Sequence, residues 1–206
     1  MAGKCQTMKG GGFIQKQITM FYSWQSDLPN NKNRNLIQSS IDMAVKNLNK
    51  SAIAISADRD TAGKLGTPDI VETIFRKIDE ADMFIADISI INPNAKTRRT
   101  PNPNVLLELG YAAKSLGWDR IICFINFEYG THEDLPFDLR TRRIIPYSVA
   151  RIEKSQVRRN IASIIESTVK KLLGDNMLPA QNDEIKSNRR LLSSLLKRGI
   201  ERAWDS

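Results

Sequence analysis

At 206 residues, 41% of them hydrophobic, the chain can bury a sizeable core and suits one domain with an appendage. Its net charge of +8 is concentrated at the ends: residues 1 to 17 hold three lysines and no acid, residues 151 to 206 hold twelve basic and seven acidic side chains, and residues 18 to 150 hold sixteen of each. A basic groove across the core is therefore not expected, and nucleic acid is not an expected partner of the core, although the tails can touch phosphate or an acidic partner.

Cys5 lies in a polar leader and Cys123 inside an apolar run, which favours a reduced, cytoplasmic chain over a disulfide scaffold. No apolar run is long enough to span a bilayer, so no membrane association is expected. Gly10-Gly11-Gly12 interrupts the Lys4, Lys9 and Lys16 leader where a signal peptide requires an apolar segment, and residues 1–17 read as a flexible arm.

Ile18 to Tyr22 is short, apolar and β-branched or aromatic, which predicts a strand. A polar loop to about Asn33 precedes a helix with Ile37, Ile41, Ala44 and Leu48 on one face. Ala52 to Ser56 is the second strand. The glycine-bearing loop Ala57 to Gly66 then leads to Thr67-Pro68, a cap and first-turn proline, with Ile70, Ile74 and Ile78 behind it. Met83 to Ile88 is the third strand. Asn102 caps, and Pro103 opens, a helix to residue 116 whose core-facing stripe is Val105, Leu109, Ala112 and Leu116. Arg120 to Asn126 is the fourth strand, and a short turn, Leu135 to Arg140, precedes a weaker fifth, Ile144 to Tyr147. Ser155 to Leu173 forms a long helix with Val157, Ile161, Ile164, Thr168 and Leu172 inward. Asp183 caps a last helix to about Trp204. Its stripe of Ile185, Leu192, Leu196, Gly199 and Ala203, widened by Leu191, Leu195 and Ile200, calls for burial on its own domain or on a second subunit.

Alternation of this kind implies parallel strands joined by right-handed crossovers, with helices on both faces. The expected fold is α/β: a flavodoxin-like three-layer sandwich with a central parallel sheet of about five strands, order 2-1-3-4-5, plus a C-terminal helix. The expected division is an arm over 1–17, a domain over 18–174 and a helical extension over 175–206. A crevice opens where the connections after strands one and three diverge, at the carboxyl ends of those strands. Strand one ends in Tyr22-Ser23-Trp24-Gln25-Ser26-Asp27 and strand three in Ala86-Asp87-Ile88-Ser89. The helix opened by Pro103 starts beside them. Glu108 lies off its apolar stripe, on a face shared with Asn104 and Tyr111, so Ser23, Asp87 and Glu108 are expected to meet at one point suited to sugar hydroxyls. A solvated helix glutamate is the ordinary alternative for Glu108.

Other chemistries find little purchase. His132 is the only histidine, which argues against a histidine triad or a multi-histidine metal site, and no metal is expected. No phosphate-binding glycine loop followed by Gly-Lys-Ser/Thr is present. Asp58 and Asp60 suit turn formation better than cation binding.

Tyr22-Ser23-Trp24-Gln25-Ser26-Asp27, Asp58-Arg59-Asp60 with Gly63 and Gly66, Ala81 to Asp87, and Asn102-Pro103-Asn104-Val105 through Glu108-Leu109-Gly110-Tyr111-Ala112 together resemble the TIR-like proteins of bacteria. These are relatives of the Toll/interleukin-1 receptor domain, many of them acting in anti-phage defence. The resemblance spans about residues 18 to 148, and the Asn-Val-x-x-Glu-Leu-Gly core is also similar to that of nucleoside 2-deoxyribosyltransferases. It implies that Glu108 is the catalytic carboxylate at an N-glycosidic bond and that the loop from Asp58 to Gly66 is mobile near a nucleotide pocket. Residues 89 to 101, with Lys96, Arg98 and Arg99, make a longer insertion than either family's pattern.

The leading expectation is an NAD glycohydrolase or cyclase that takes NAD or a related nucleotide as substrate, needs no cofactor and works as a homo-oligomer. The alternatives are nucleoside deoxyribosyl transfer and a nucleotide-binding or self-associating module without turnover. Candidate substrate-binding residues are Tyr22, Ser23, Trp24, Asp27, Arg59, Asp87, Asn104 and Tyr111. Tyr22 and Trp24 stack on a base or pack into the sheet edge. Arg59 pairs with a pyrophosphate or faces solvent.

Overall fold

The computed structural model describes residues 17–51, 53–58 and 70–178. Five strands, β1 (Ile18–Ser23), β2 (Ile55–Asp58), β3 (Met83–Asp87), β4 (Ile121–Asn126) and β5 (Ile144–Tyr147), form one sheet in the order β2-β1-β3-β4-β5. Every pairing is parallel. The helices that connect and close them are α1 (Arg34–Lys50), α2 (Ile70–Glu80), α3 (Pro103–Ser115), the one-turn α4 (Phe137–Arg140) and α5 (Lys154–Gly174). The chain has the flavodoxin-like architecture, because reversal of strand order between β1 and β3 is what defines that winding.

A parallel sheet covered on both faces needs strands that are apolar throughout, and β3 meets this with all five residues buried. Two cores result. Ile37, Ile41, Ala44 and Leu48 of α1 pack with Ile161, Ile165 and Val169 of α5 on one face of the sheet. Ile78 of α2 and Val105, Leu109 and Ala112 of α3 pack on the other, around Phe84 and Ile125.

Several elements depart from the sequence reading. β2 runs from Ile55 to Asp58, later than the Ala52 to Ser56 expected, because Ile18 pairs with Ile55 and Phe21 with Asp58. Of the expected α2 stripe, Ile78 is buried and Ile74 packs partly buried against the core, while Ile70 is 59% exposed and Thr73 is buried beside them. In α5 the buried set is Val157, Ile161, Ala162, Ile165, Val169 and Leu172, so Ile165 and Val169 occupy the places assigned to Ile164 and Thr168. Both sets keep helical spacing, and the helix is rotated by one position toward its more apolar choice. The helix stops at Gly174, where Asn176 takes a left-handed φ of 53° and Met177 N–H bonds back to the Leu172 carbonyl. Among the described residues no helix is long and apolar enough to cross a membrane. The last helix expected from Asp183 and the N-terminal arm lie outside the described residues, apart from Gln17.

Candidate functional site

The carboxyl ends of β1 and β3 meet α3 at a cleft of about 290 Å³. Its polar wall includes Ser23, Gln25, Asn102, Asn104 and Glu108, and Trp24 borders it. Ser23 ends β1 opposite Ala86 of β3, and its side chain is buried.

Glu108 is brought there by the way α3 begins. Asn102 Oδ1 accepts from the N–H groups of Asn104 (2.8 Å) and Val105 (3.2 Å), and Pro103 supplies a helical φ at the first position. With Val105, Leu109 and Ala112 held in the core, Glu108 faces the end of β1. Ser23 Oγ donates to Glu108 Oε2 at 2.5 Å. Partial burial raises the Glu108 carboxyl above the ordinary glutamate range, and the Ser23 hydrogen bond opposes that rise. The result is a half-buried carboxylate facing a cavity, with one fixed donor among the described residues.

A ring of hydrogen bonds holds the surrounding loop. Asn102 uses the other end of its amide, Nδ2, to donate to Asp27 Oδ2 at 2.7 Å. Gln25 Nε2 donates to Asp87 Oδ2 at 3.1 Å, while Gln25 Oε1 accepts from Leu28 N–H at 3.0 Å. The turn after β1 is thus tied to β3 on one side and to the α3 cap on the other.

These contacts reassign some of the expected residues. Asp87 does not join Ser23 and Glu108 at the cleft. It is fully buried and accepts from Ser89 N–H (3.1 Å), Ser89 Oγ (2.5 Å), Gln25 and Asn33 Nδ2 (3.5 Å). Burial raises its pKa, against the lowering effect of these donors. Its role is to organise the strand ends beneath the cleft. Tyr111 also leaves the expected face: its hydroxyl donates to Asp79 of α2 at 2.8 Å and its ring stacks on Phe75 at 4.2 Å. Asp27 is exposed and engaged with Asn102, so it braces the cap. Tyr22 borders the cleft, but its ring belongs to the core, and burial pushes its phenol well above the ordinary value. Trp24 borders the cleft half-buried, with the Arg34 guanidinium 3.4 Å above its ring centroid. Asn104 is exposed on the rim. Arg59 and most of the loop from Asp58 to Gly66 lie outside the described residues.

The sequence reading missed Gln25, Arg34 and the buried amides Asn33 and Asn126. Asn126 Nδ2 donates to Asn33 Oδ1 at 3.2 Å, and its N–H donates to Ser89 Oγ at 2.8 Å. A signal was available: Ser23, Asp87 and Asn126 all end neighbouring parallel strands, where polar groups gather over the sheet.

No protein-family model matches the chain, and no curated protein matches it. Among the solved structures it is similar to is the metal-soaked flavodiiron core from Synechocystis sp. PCC6803. The identity is 11% and the TM-score 0.44, over 78% of this chain and 37% of that one. Another is general stress protein 14 from Treponema denticola in complex with FMN, 13% identical with a TM-score of 0.39 over 75% of this chain and 98% of that one. The chain thus spans little more than a third of the flavodiiron core. Neither neighbour's bound group transfers to this chain at such identities.

Proposed function

We propose that the protein cleaves the nicotinamide N-glycosidic bond of NAD, as a glycohydrolase or cyclase, with Glu108 as the catalytic carboxylate. The observation that carries this reading is the half-buried Glu108 carboxylate, held by Ser23 Oγ at the mouth of a cleft over the sheet's carboxyl end.

The chemistry needs little more. When the bond between ribose C1 and the nicotinamide nitrogen breaks, its electron pair goes to the nitrogen and nicotinamide departs neutral. Positive charge is left on the sugar, and a fixed carboxylate beside it stabilises that charge in a way bulk water does not. A cationic leaving group requires no general acid, so one carboxylate suffices. Water then adds to C1 and releases a proton, giving hydrolysis; capture by a nucleophile of the same substrate gives a cyclic product. The Ser23 hydroxyl fixes the carboxylate's position without neutralising it. The resemblance to bacterial TIR-like proteins points the same way and makes an anti-phage effector or signal generator the biological setting.

Incubation with NAD, and separately with deoxynucleosides plus a free base, tests the reading. Nicotinamide release that disappears in Glu108→Gln supports it. Base exchange without nicotinamide release favours deoxyribosyl transfer, and nucleotide binding without turnover under any condition of concentration assigns Glu108 to ribose binding alone.

A further inference from the structure

We infer that the cleft selects phosphorylated nucleotides over nucleosides and that Arg34 reads the phosphate, an assignment that rests on the cleft being the nucleotide site proposed above.

The cleft has a charge problem that its own wall does not solve. Among the described residues its lining contains one carboxylate, Glu108, and no cation, so a phosphate-bearing ligand entering it meets repulsion unless a positive group stands nearby. Arg34 stands there. Its guanidinium carbon lies 3.4 Å from the centroid of the Trp24 ring, and Trp24 borders the cleft. Stacking uses only the flat face of a guanidinium. The five N–H donors point outward in its plane, the geometry that grips a phosphate with two parallel hydrogen bonds.

Among the described residues those donors are uncommitted. Among the described residues no carboxylate pairs with Arg34 and no acceptor takes its N–H groups, although the side chain is half-buried. Its neighbours in chemistry are engaged. Lys32, two residues earlier, is bound to Glu128 at 2.8 Å, Arg99 to Asp134 at 3.3 Å, and Arg120 and Arg140 donate to the carbonyls of Leu116 and Leu135. A half-buried guanidinium stacked on an indole of the cleft wall, with no anion of its own among the described residues, is suited to take one from the ligand. Trp24, with Arg34 stacked on its ring, borders the cleft where the edge of the indole can pack against a base.

The test is binding, independent of turnover. Isothermal titration of the full chain with AMP and with adenosine compares ligands that differ by one phosphate, and neither carries the cationic leaving group of NAD. AMP is expected to bind roughly tenfold or more tightly than adenosine, the difference made by a charge-assisted hydrogen-bonded contact. Arg34→Gln is expected to bring the two affinities within about twofold by weakening AMP alone. Arg142→Gln, which removes a guanidinium stacked on Trp118 at 4.2 Å and away from this cleft, is expected to leave the ratio intact. Equal affinities in the unaltered protein, an unchanged ratio in folded Arg34→Gln, or no binding of either ligand at millimolar concentration overturns the assignment. Selective AMP binding without any NAD cleavage would uphold it while removing the proposed reaction.

Discussion

Ser23 and Glu108, 85 residues apart, are joined by a 2.5 Å hydrogen bond between the last residue of β1 and the off-core face of α3. The contact depends on the sheet order that puts β1 beside β3 and on the Asn102 cap that fixes where α3 starts. It leaves Glu108 acting against stability. Burial raises its carboxyl pKa in the folded protein, so the proton-bound form is the one that folding favours.

Glu108→Gln therefore separates function from folding. A glutamine keeps the size and can still accept from Ser23, while the charge that the proposed reaction sets beside a ribosyl cation is gone; on that proposal NAD cleavage should fall by about 100-fold or more. A raised carboxyl contributes stability below its unfolded pKa and loses it as pH rises through the folded pKa. At neutral pH the variant should accordingly be no less stable than the parent in urea, and the difference should change in the parent's favour on acidification. Nicotinamide release and urea midpoints at neutral and acidic pH check both halves.

Ser23→Ala tests the donor. Without the hydroxyl, the hydrogen bond that opposes the burial-driven rise of Glu108 is lost, so its pKa should climb further. The acid limb of the pH–rate profile should move to higher pH, and neutral-pH cleavage should drop by roughly tenfold, the loss of one hydrogen bond to a charged group. Ser23→Thr, which retains the hydroxyl, should restore part of both. A profile that keeps its acid limb while the rate falls would mean that Ser23 acts by packing.

How much of this was written in the sequence depends on which physical signal each feature leaves. Strand order and the α3 cap were legible, because alternation of apolar strands and helices leaves few windings and because Asn102-Pro103 is a local instruction. Helix rotation was less so: in α5, Ile164 and Ile165 are adjacent and either fits a helical stripe, so only the neighbouring sheet decides. At the site, the Ser23–Glu108 approach followed from topology, whereas the fates of Asp87 and Tyr111 did not. Asp87 sinks beneath the cleft because Gln25 and Asn33, remote in sequence, supply donors there, and Tyr111 turns away because Asp79 and Phe75 of α2 offer a hydrogen bond and a ring. Such pairings leave no periodicity to read.

Asn102 does two jobs with one amide, and Asp27 determines which end does which. Because Asp27 accepts from Nδ2, Oδ1 is left toward the N–H groups of Asn104 and Val105. Asn102→Ala should remove the cap and destabilise by about 1 kcal/mol, within the usual range for such losses. Asp27→Ala should destabilise less, since the exposed pair contributes only a few tenths to about 1 kcal/mol, but should make the start of α3 exchange its amides faster. A double-mutant cycle should show coupling, with the double variant less destabilised than the two singles added. Strict additivity would mean that Asp27 does not orient the Asn102 amide.

Asp87→Asn is the sharpest test of the buried network, because two effects oppose each other. Burial disfavours the ionised carboxylate, which argues that a neutral isostere should help. Yet four donors converge on the carboxylate: Ser89 N–H and Oγ on Oδ1, Gln25 and Asn33 on Oδ2. An asparagine must turn its NH2 toward one pair. Facing Gln25 and Asn33, it meets amides that cannot flip without abandoning Leu28 N–H and the Asn126 side chain. Facing Ser89, it leaves the Ser89 N–H without an acceptor. Either way at least one buried donor is orphaned, which costs about 1–3 kcal/mol and outweighs the relief of a charge already solvated by four donors. Asp87→Asn should therefore lower the urea midpoint and speed exchange of the Leu28 amide, which depends on Gln25. Since the Asp87 carboxyl is raised in the folded protein, its contribution grows as pH falls through that raised value, and the stability gap to the asparagine variant should widen on acidification. A variant as stable as the parent, with Leu28 exchange unchanged, would show that the network tolerates an amide and that Asp87 does not set the loop carrying the cleft wall.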